Sequence, residues 1–494
     1  MSDKDFEARH LETLDRDLGR FSNLERAAAY TGRPLVGPGI ALVFIVLVGL
    51  AASLFLGQGN NALIVTVAAG FGAYMALNIG ANDVANNMGP AVGANALTMG
   101  GAIAIAAIFE SAGALIAGGD VVSTISKGII APAGLADSTV FIWAMMAALL
   151  SSALWVNLAT WIGAPVSTTH SVVGGVMGAG IAAAGLGAVS WGTMGAIAAS
   201  WVISPALGGL CAAGFLWFIK ARIIYRDDKI AAARVWVPVL VGIMAGAFAA
   251  YLALKGLKHL ISVTLGLALL IGLVLGVATW LTMIPVIRRQ SRGLENRNKS
   301  LKVLFGIPLV VSAALLSFAH GANDVANAVG PLAAIVAASQ TGSFTEAVSI
   351  PFWVMLIGAF GISFGLFLFG PKLIRMVGSQ ITKLNPMRAY CVALSAAITV
   401  IVASWLGLPV SSTHIAVGAV FGVGFFREWD SERRLRRAHI AIPDSPRVGP
   451  EERRRRKLVR RSHVLTIVAA WIVTVPAAAI LSAVLFTGIR ILAM

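Results

Sequence analysis

An all-α, polytopic membrane protein made of two inverted-topology repeats is the fold this sequence predicts. Three observations predict it. Of the 494 residues, 58% are hydrophobic and only 12% charged, with a mean hydropathy of +0.84; a soluble domain carries about 25% charged residues. Residues 34–82 and 138–219 contain no Asp, Glu, Lys or Arg at all, and a bilayer span takes roughly 20 residues, so each stretch holds several spans. Finally, two motif-bearing segments occur twice, in the same order. A soluble globular protein is excluded.

The elements follow in chain order. Residues 1–35 mix acidic and basic side chains, which excludes a cleavable signal; Leu11, Leu14, Leu18 and Phe21 recur at helical spacing, predicting a cytoplasmic amphipathic tail. Residues 36–60 supply an extra N-terminal span. Residues 61–219 form the first repeat, with apolar runs near 61–79, 100–118, 137–161, 166–187 and 191–219. Residues 220–302 are a linking hairpin of two spans between basic loops. Residues 303–490 form the second repeat, with runs near 303–320, 348–370, 388–406, 410–426 and 464–490 and a basic cytoplasmic loop at 427–463. That makes about five spans in each half and about three outside them.

Charge orients these spans. The net charge of +16 and pI near 10.5 would suit nucleic acid in a soluble chain, but here the basic residues sit in short segments, 220–234, 288–302 and 427–463. This is the signature of cytoplasmic loops, not of nucleic-acid binding. The last of them holds 13 Lys/Arg against 6 Asp/Glu; its Arg-rich run either touches anionic headgroups or only sets topology, and the C-terminus is expected outside. With all three loops inside, 61–79 runs inward and 303–320 outward, so the repeats are inverted. Cys211 and Cys391 lie in apolar runs, supporting neither a disulfide nor a metal site.

The duplication is close. Gly-Ala-Asn-Asp-Val-Ala-Asn-Asn-Met-Gly-Pro at 80–90 returns as Gly-Ala-Asn-Asp-Val-Ala-Asn-Ala-Val-Gly-Pro at 321–331, and Pro-Val-Ser-Thr-Thr-His at 165–170 returns as Pro-Val-Ser-Ser-Thr-His at 409–414. Gly, Pro, Asn and Ser/Thr interrupt helices, which predicts broken helices at the bilayer midplane. Interrupted segments at matching places in two inverted halves point to a transport site.

Ionisable groups inside a span are functional by default. Asp83 and Asp324 occupy matching places, either capping broken helices or handling ion and substrate. Ser167, Thr168 and Thr169, matched by Ser411, Ser412 and Thr413, follow a Pro at a helix start, where hydroxyls and free N–H groups suit an oxyanion. Asn82, Asn86, Asn323 and Asn327 offer oxygens for a hard monovalent cation. Glu110 has no acidic counterpart and is either a proton or cation site or a partner for a helix-end Lys. His170 and His414 either orient the triplets or bond across helices. His320, where the first half has Ile79, is either a proton relay or a satisfied core histidine, the second being favoured.

These paired motifs resemble those of the PiT-type inorganic phosphate transporters over roughly residues 61–490. The resemblance implies phosphate carried with Na⁺ or H⁺ and held between Asp83 and Asp324 and the hydroxyls at 167–169 and 411–413. It also implies that the four asparagines belong to the cation and substrate region. The expected function is phosphate import by alternating access across the cytoplasmic (inner) membrane. Na⁺ is a candidate coupling ion at the asparagines and Glu110, no other cofactor or metal is expected, and a homodimer is one candidate assembly. A sulfate or other oxyanion permease of the same fold is the alternative, and an anion channel a more distant one. No enzyme motif is present.

Overall fold

The computed structural model describes residues 35–54, 62–130, 137–162, 166–256, 263–342, 350–380, 384–437 and 461–493. The expected N-terminal tail, Pro165 and most of the 427–463 loop lie outside the described residues. What is described is almost entirely helical, and eleven of these helices are long and apolar enough to cross a membrane. Helices suit the sequence because each satisfies its own backbone polar groups in a medium without water.

The first repeat begins after α1 (Leu35–Leu54) with α2 (Ala62–Asn82) and α3 (Val84–Gly93). It continues with α4 (Met99–Ala117), α5 (Gly119–Ser123), α6 (Ser138–Ile162), α7 (Thr168–Ala184) and α8 (Trp191–Ile219). The linking hairpin is α9 (Lys229–Lys255) and α10 (Leu265–Gln290), followed by the short α11 (Asn298–Leu304). The second repeat is α12 (Gly306–Thr341), α13 (Phe352–Gln380), α14 (Pro386–Trp405), α15 (Ser412–Arg437) and α16 (Arg461–Ala493). Side chains start several of these helices: Thr98 Oγ1 accepts from Gly101 N at 3.2 Å and Asp228 Oδ1 from Ala231 N at 2.8 Å, each relieving an orphan N–H.

The two halves interlock reciprocally. α2 packs on α13 and its counterpart α12 on α4; α8 packs on α15 and its counterpart α16 on α7. Glycines make each crossing close, as in membrane helix pairs generally. A Cβ on Gly80 would lie 1.9 Å from the Ile362 carbonyl oxygen, and one on its counterpart Gly321 2.1 Å from that of Glu110. A two-fold relation between the repeats produces this exchange. We expect Gly80→Ala and Gly321→Ala each to destabilise the folded protein by about 1–3 kcal/mol or more, read as a lower melting temperature. Gly214→Ala, which meets no atom within 4 Å, should change little.

One expectation needs correction. The first repeat's motif does bend: α2 stops and α3 begins around Asp83, where Asn86 N donates to the Asp83 carbonyl at 3.0 Å. Its counterpart does not break, because α12 runs unbroken for 36 residues through the whole second motif. Asn323 and Asn327 spend their amides on neighbouring segments (described below), so they do not compete for their own helix's backbone bonds. The helix tolerates Pro331 in its interior and stops at Gly342, which has the left-handed conformation (φ 66°) common at helix ends. α12 is also the most enclosed helix, and every residue from Ser312 to Val336 is buried. It is the axis on which the site is built.

Candidate functional site

The N-terminus of α7, the N-terminus of α15, the α2–α3 bend and the middle of α12 converge. There Asp83 accepts hydrogen bonds from Thr168 Oγ1 at 2.7 Å and Thr413 Oγ1 at 3.0 Å, one hydroxyl from each repeat. Asp324 accepts from Ser412 Oγ at 2.9 Å. Asn86 Nδ2 reaches Thr413 Oγ1 at 2.9 Å, and its counterpart Asn327 reaches Thr168 and Thr169 at 3.3 and 3.1 Å. Each asparagine therefore bonds the other repeat's hydroxyls. Both aspartates are only 1% exposed.

The triplets divide their labour. Ser167 and Ser411 cap α7 and α15, accepting from His170 N at 3.2 Å and His414 N at 3.3 Å. Capping uses a lone pair and leaves the hydroxyl proton free to donate. Thr168, Ser412 and Thr413 give their protons to the carboxylates, and Thr169 gives its proton to the Val410 carbonyl at 3.0 Å. Asp83, by contrast, makes no side-chain capping bond to α3; its carboxylate faces the hydroxyls.

Asn82 and Asn323 stand one step outside. Asn82 donates to Thr160 Oγ1 at 2.8 Å, and Asn323 donates to Ser404 Oγ at 3.0 Å and to the Leu408 carbonyl at 3.2 Å. Asn323 Oδ1 also accepts from Val410 N at 3.3 Å, so this side chain holds the approach to the second triplet. The coupling-ion expectation thus separates: Asn86 and Asn327 touch the centre, whereas Asn82 and Asn323 position the segments around it.

A second group of polar residues joins Asp324. His320 Nε2 lies 2.8 Å from Asp324 Oδ2 and its Nδ1 3.1 Å from Glu110 Oε2, while Glu110 Oε1 accepts from Asn87 Nδ2 at 3.0 Å. His320 is fully buried and Glu110 is 1% exposed. The sequence favours a core role for His320 and does not mark Asn87. A signal is nonetheless present. His320, Asn87 and Glu110 are among the polar residues that break the duplication, standing opposite Ile79, Ala328 and Ile362. Structure gathers the three into one chain. Its i,i+4 spacing from Asp324 also puts His320 on the same helix face.

His170 and His414 meet edge to face, with ring centroids 4.5 Å apart, and His170 also packs on Trp201 at 3.8 Å. They bridge the beginnings of α7 and α15 behind the triplets.

Electrostatically the centre is short of positive charge. Asp83, Asp324 and Glu110 are three buried carboxylates, and among the described residues the basic side chain that meets two of them, Asp324 and Glu110, is the His320 imidazole. Asp324 Oδ1, Asn327 Oδ1 and Asn87 Oδ1 are buried acceptors without a hydrogen-bond partner, and such groups are costly unless something positive meets them. Ligand atoms of Asp83, His320 and Asp324 lie within 4.8 Å of one another, close enough to share a cation. Carboxylate, hydroxyl and amide oxygens suit a hard cation, and two helix N-termini suit an anion.

Interlocked repeats around a buried polar centre, in a bundle of membrane-spanning length, are the architecture of a multi-pass membrane transporter. Comparison with known proteins gives the particular family. The profile of the phosphate transporter family matches residues 79–482, and the chain belongs to that family. A protein of Helicobacter pylori strain J99 with a provisional phosphate permease name is 46% identical over 96% of this chain and 98% of its own. One of Thermococcus kodakarensis, similarly named, is 37% identical over 86% of this chain and 97% of its own. A solved structure described as the sodium-dependent phosphate transporter superposes with a TM-score of 0.77 at 34% identity, covering 87% of this chain and 99% of that one.

Proposed function

We propose that the chain is a symporter that imports inorganic phosphate with Na⁺ by alternating access of inverted repeats in the cytoplasmic membrane. The observation that carries this reading is the hydroxyl–carboxylate centre shared by both repeats. In the state described here, four of the six triplet hydroxyls donate inside the protein, three of them to Asp83 and Asp324. A phosphate placed beside those carboxylates meets repulsion of about 4 kcal/mol per unit-charge pair at 4 Å with an effective dielectric of 20. Cations on Asp83 and Asp324 remove that repulsion and compete for the carboxylate oxygens, releasing hydroxyl protons toward the anion. Cation and phosphate then bind together or hardly at all, which is the thermodynamic content of coupling. Neither ion needs a buried arginine, so release stays fast.

Na⁺ is favoured over H⁺ by the unpartnered oxygens of Asp324 and Asn327 and by the sodium dependence named for the similar structure. Proton coupling is the second reading, supported by the Glu110–His320–Asp324 chain, whose groups all titrate. Phosphate is favoured over sulfate because hydrogen phosphate keeps a P–O–H donor for a carboxylate. Proteoliposome uptake of labelled phosphate, with Na⁺ and pH gradients imposed separately and sulfate as competitor, tests all three points. Uptake driven by a Na⁺ gradient at equal pH is expected. Uptake driven by a pH gradient alone would favour the proton reading.

Ser167→Ala and Ser411→Ala should raise the KM for phosphate. Each removes a hydrogen bond to a charged ligand, a loss of roughly 1.5–3 kcal/mol, or about 10- to 150-fold. Each also removes a helix cap, which costs about 1 kcal/mol of stability. A lower melting temperature with an unchanged KM would show that the two serines only cap.

A further inference from the structure

We propose that the face bearing the basic loops holds a second anion site, distinct from the transport centre, that takes a ligand with more than one phosphate group. The site is a cavity of about 410 Å³, ringed by Lys220 after α8, Lys299 and Lys302 on α11, Arg388 in the first turn of α14 and Arg427 on α15. Its volume falls in the range of small-ligand pockets. Among the described residues, no carboxylate lines it. Lys220 has Asp430 at 2.7 Å outside the lining, and Arg427 is followed on its helix by Glu428, which leaves the balance strongly positive.

Two details separate this cavity from a solvated basic surface. Arg388 and Arg427 are half-buried and line the same cavity, and two like charges buried around one space favour an anion between them. Arg388 is also aimed: Asn385 Oδ1 caps α14 through Arg388 N at 3.0 Å and accepts from Arg388 Nε at 3.1 Å. Holding Nε leaves the terminal nitrogens to meet phosphate oxygens in pairs, the geometry guanidinium favours. Five cations around one cavity exceed what a single phosphate neutralises, and clustered phosphates match them.

The site is remote from the centre. Along α15 from Ser412 to Arg427 the helix rises about 22 Å. The cavity is built by the end of the first repeat, the linker and two helices of the second repeat. An anion there ties these parts together. If the alternating-access reading holds, occupancy opposes movement between the repeats and slows transport. The ligand chemistry, clustered phosphate groups, is offered both by a free polyphosphate and by a lipid headgroup that carries two phosphates.

Binding can be measured without transport, so this proposal and the transport reading fail separately. The full-length chain in phosphatidylcholine nanodiscs is titrated calorimetrically with tripolyphosphate, and its melting temperature is compared in discs with and without cardiolipin, whose headgroup carries two phosphates. Three variants are carried in parallel: Lys299→Gln/Lys302→Gln, whose side chains are exposed; Arg388→Gln; and Ser412→Ala at the transport centre. Tripolyphosphate binding that weakens about tenfold or more in the first two variants and persists in Ser412→Ala supports the site with a soluble ligand. Stabilisation by cardiolipin lost in the same two variants supports it with a lipid ligand. Equal responses of parent and cavity variants in both arms, or tripolyphosphate binding lost only in Ser412→Ala, overturn it.

Discussion

Replacing Asp83 or Asp324 with Asn is expected to abolish coupled phosphate uptake while leaving the protein folded. Asn has nearly the shape of Asp, so packing at these 1%-exposed positions is kept. The chemistry is not. Asp83 accepts two hydroxyl protons, at 2.7 and 3.0 Å from the two repeats, and an amide can match that only by turning its NH₂ toward a neighbour that wants an acceptor. More importantly, each substitution deletes one negative charge at the position where a coupling cation would bind. Losing a hydrogen bond to a charged group alone costs roughly 1.5–3 kcal/mol, and losing the charge adds the cation's own binding. Uptake should fall by more than about 100-fold in each variant. The melting temperature should change little and lose its dependence on Na⁺, since a ligand that binds only the folded state stabilises by mass action. Parent-rate uptake in either variant would remove that aspartate from ion handling.

The second large effect concerns His320. Its ring joins two buried carboxylates, at 2.8 Å from Asp324 and 3.1 Å from Glu110. His320→Gln leaves both acids without the bridging imidazole, and leaving a buried polar group without its partner costs about 1–3 kcal/mol, more for a charged one. Uptake and melting temperature should both fall. A purely structural histidine would predict the same, so the discriminating measurement is a double-mutant cycle with Glu110→Gln. If the chain acts as a unit, the double variant should be more stable than the sum of the single losses by about 0.5–3 kcal/mol, because a neutral amide at position 110 no longer needs the imidazole. Additive losses would show that Glu110 and His320 act independently. Under Na⁺ coupling the pH profile of uptake should follow this chain only weakly; under H⁺ coupling, His320→Gln should abolish the stimulation of uptake by a pH gradient.

Much of this was legible in one dimension. Membrane insertion follows from residues 138–219 carrying no charge, and the pairing of Asp83 with Asp324 and of the two hydroxyl triplets follows from near-identical motifs. Composition and repetition survive in the sequence because they are properties of neighbours along the chain. Helices are interrupted at both Ser/Thr motifs, between α6 and α7 and between α14 and α15, but of the two Asn-Asp motifs only the one at Asp83 interrupts its helix, since whether an Asn disturbs its own helix depends on what else it can bond. For Asn323 that partner was Ser404 Oγ, at 3.0 Å and 81 residues away.

Tertiary structure decided what each side chain does. Ser167 and Thr168 are adjacent hydroxyls at one helix start, and either could cap or reach out at similar cost; only the position of Asp83 beside Thr168 settles which does which. The exchange of Asn86 with Thr413 and Asn327 with Thr169 requires the repeats to be docked, which no local pattern encodes. The same holds for Asn87, Glu110 and His320. As departures from the repeat they are visible in the sequence, but only the packing of α3 and α12 against α4 brings them within hydrogen-bond reach. The physical reason is common to all three cases. A polar group buried away from water must find a partner wherever the fold puts one, and that partner is set by distance in space rather than along the chain.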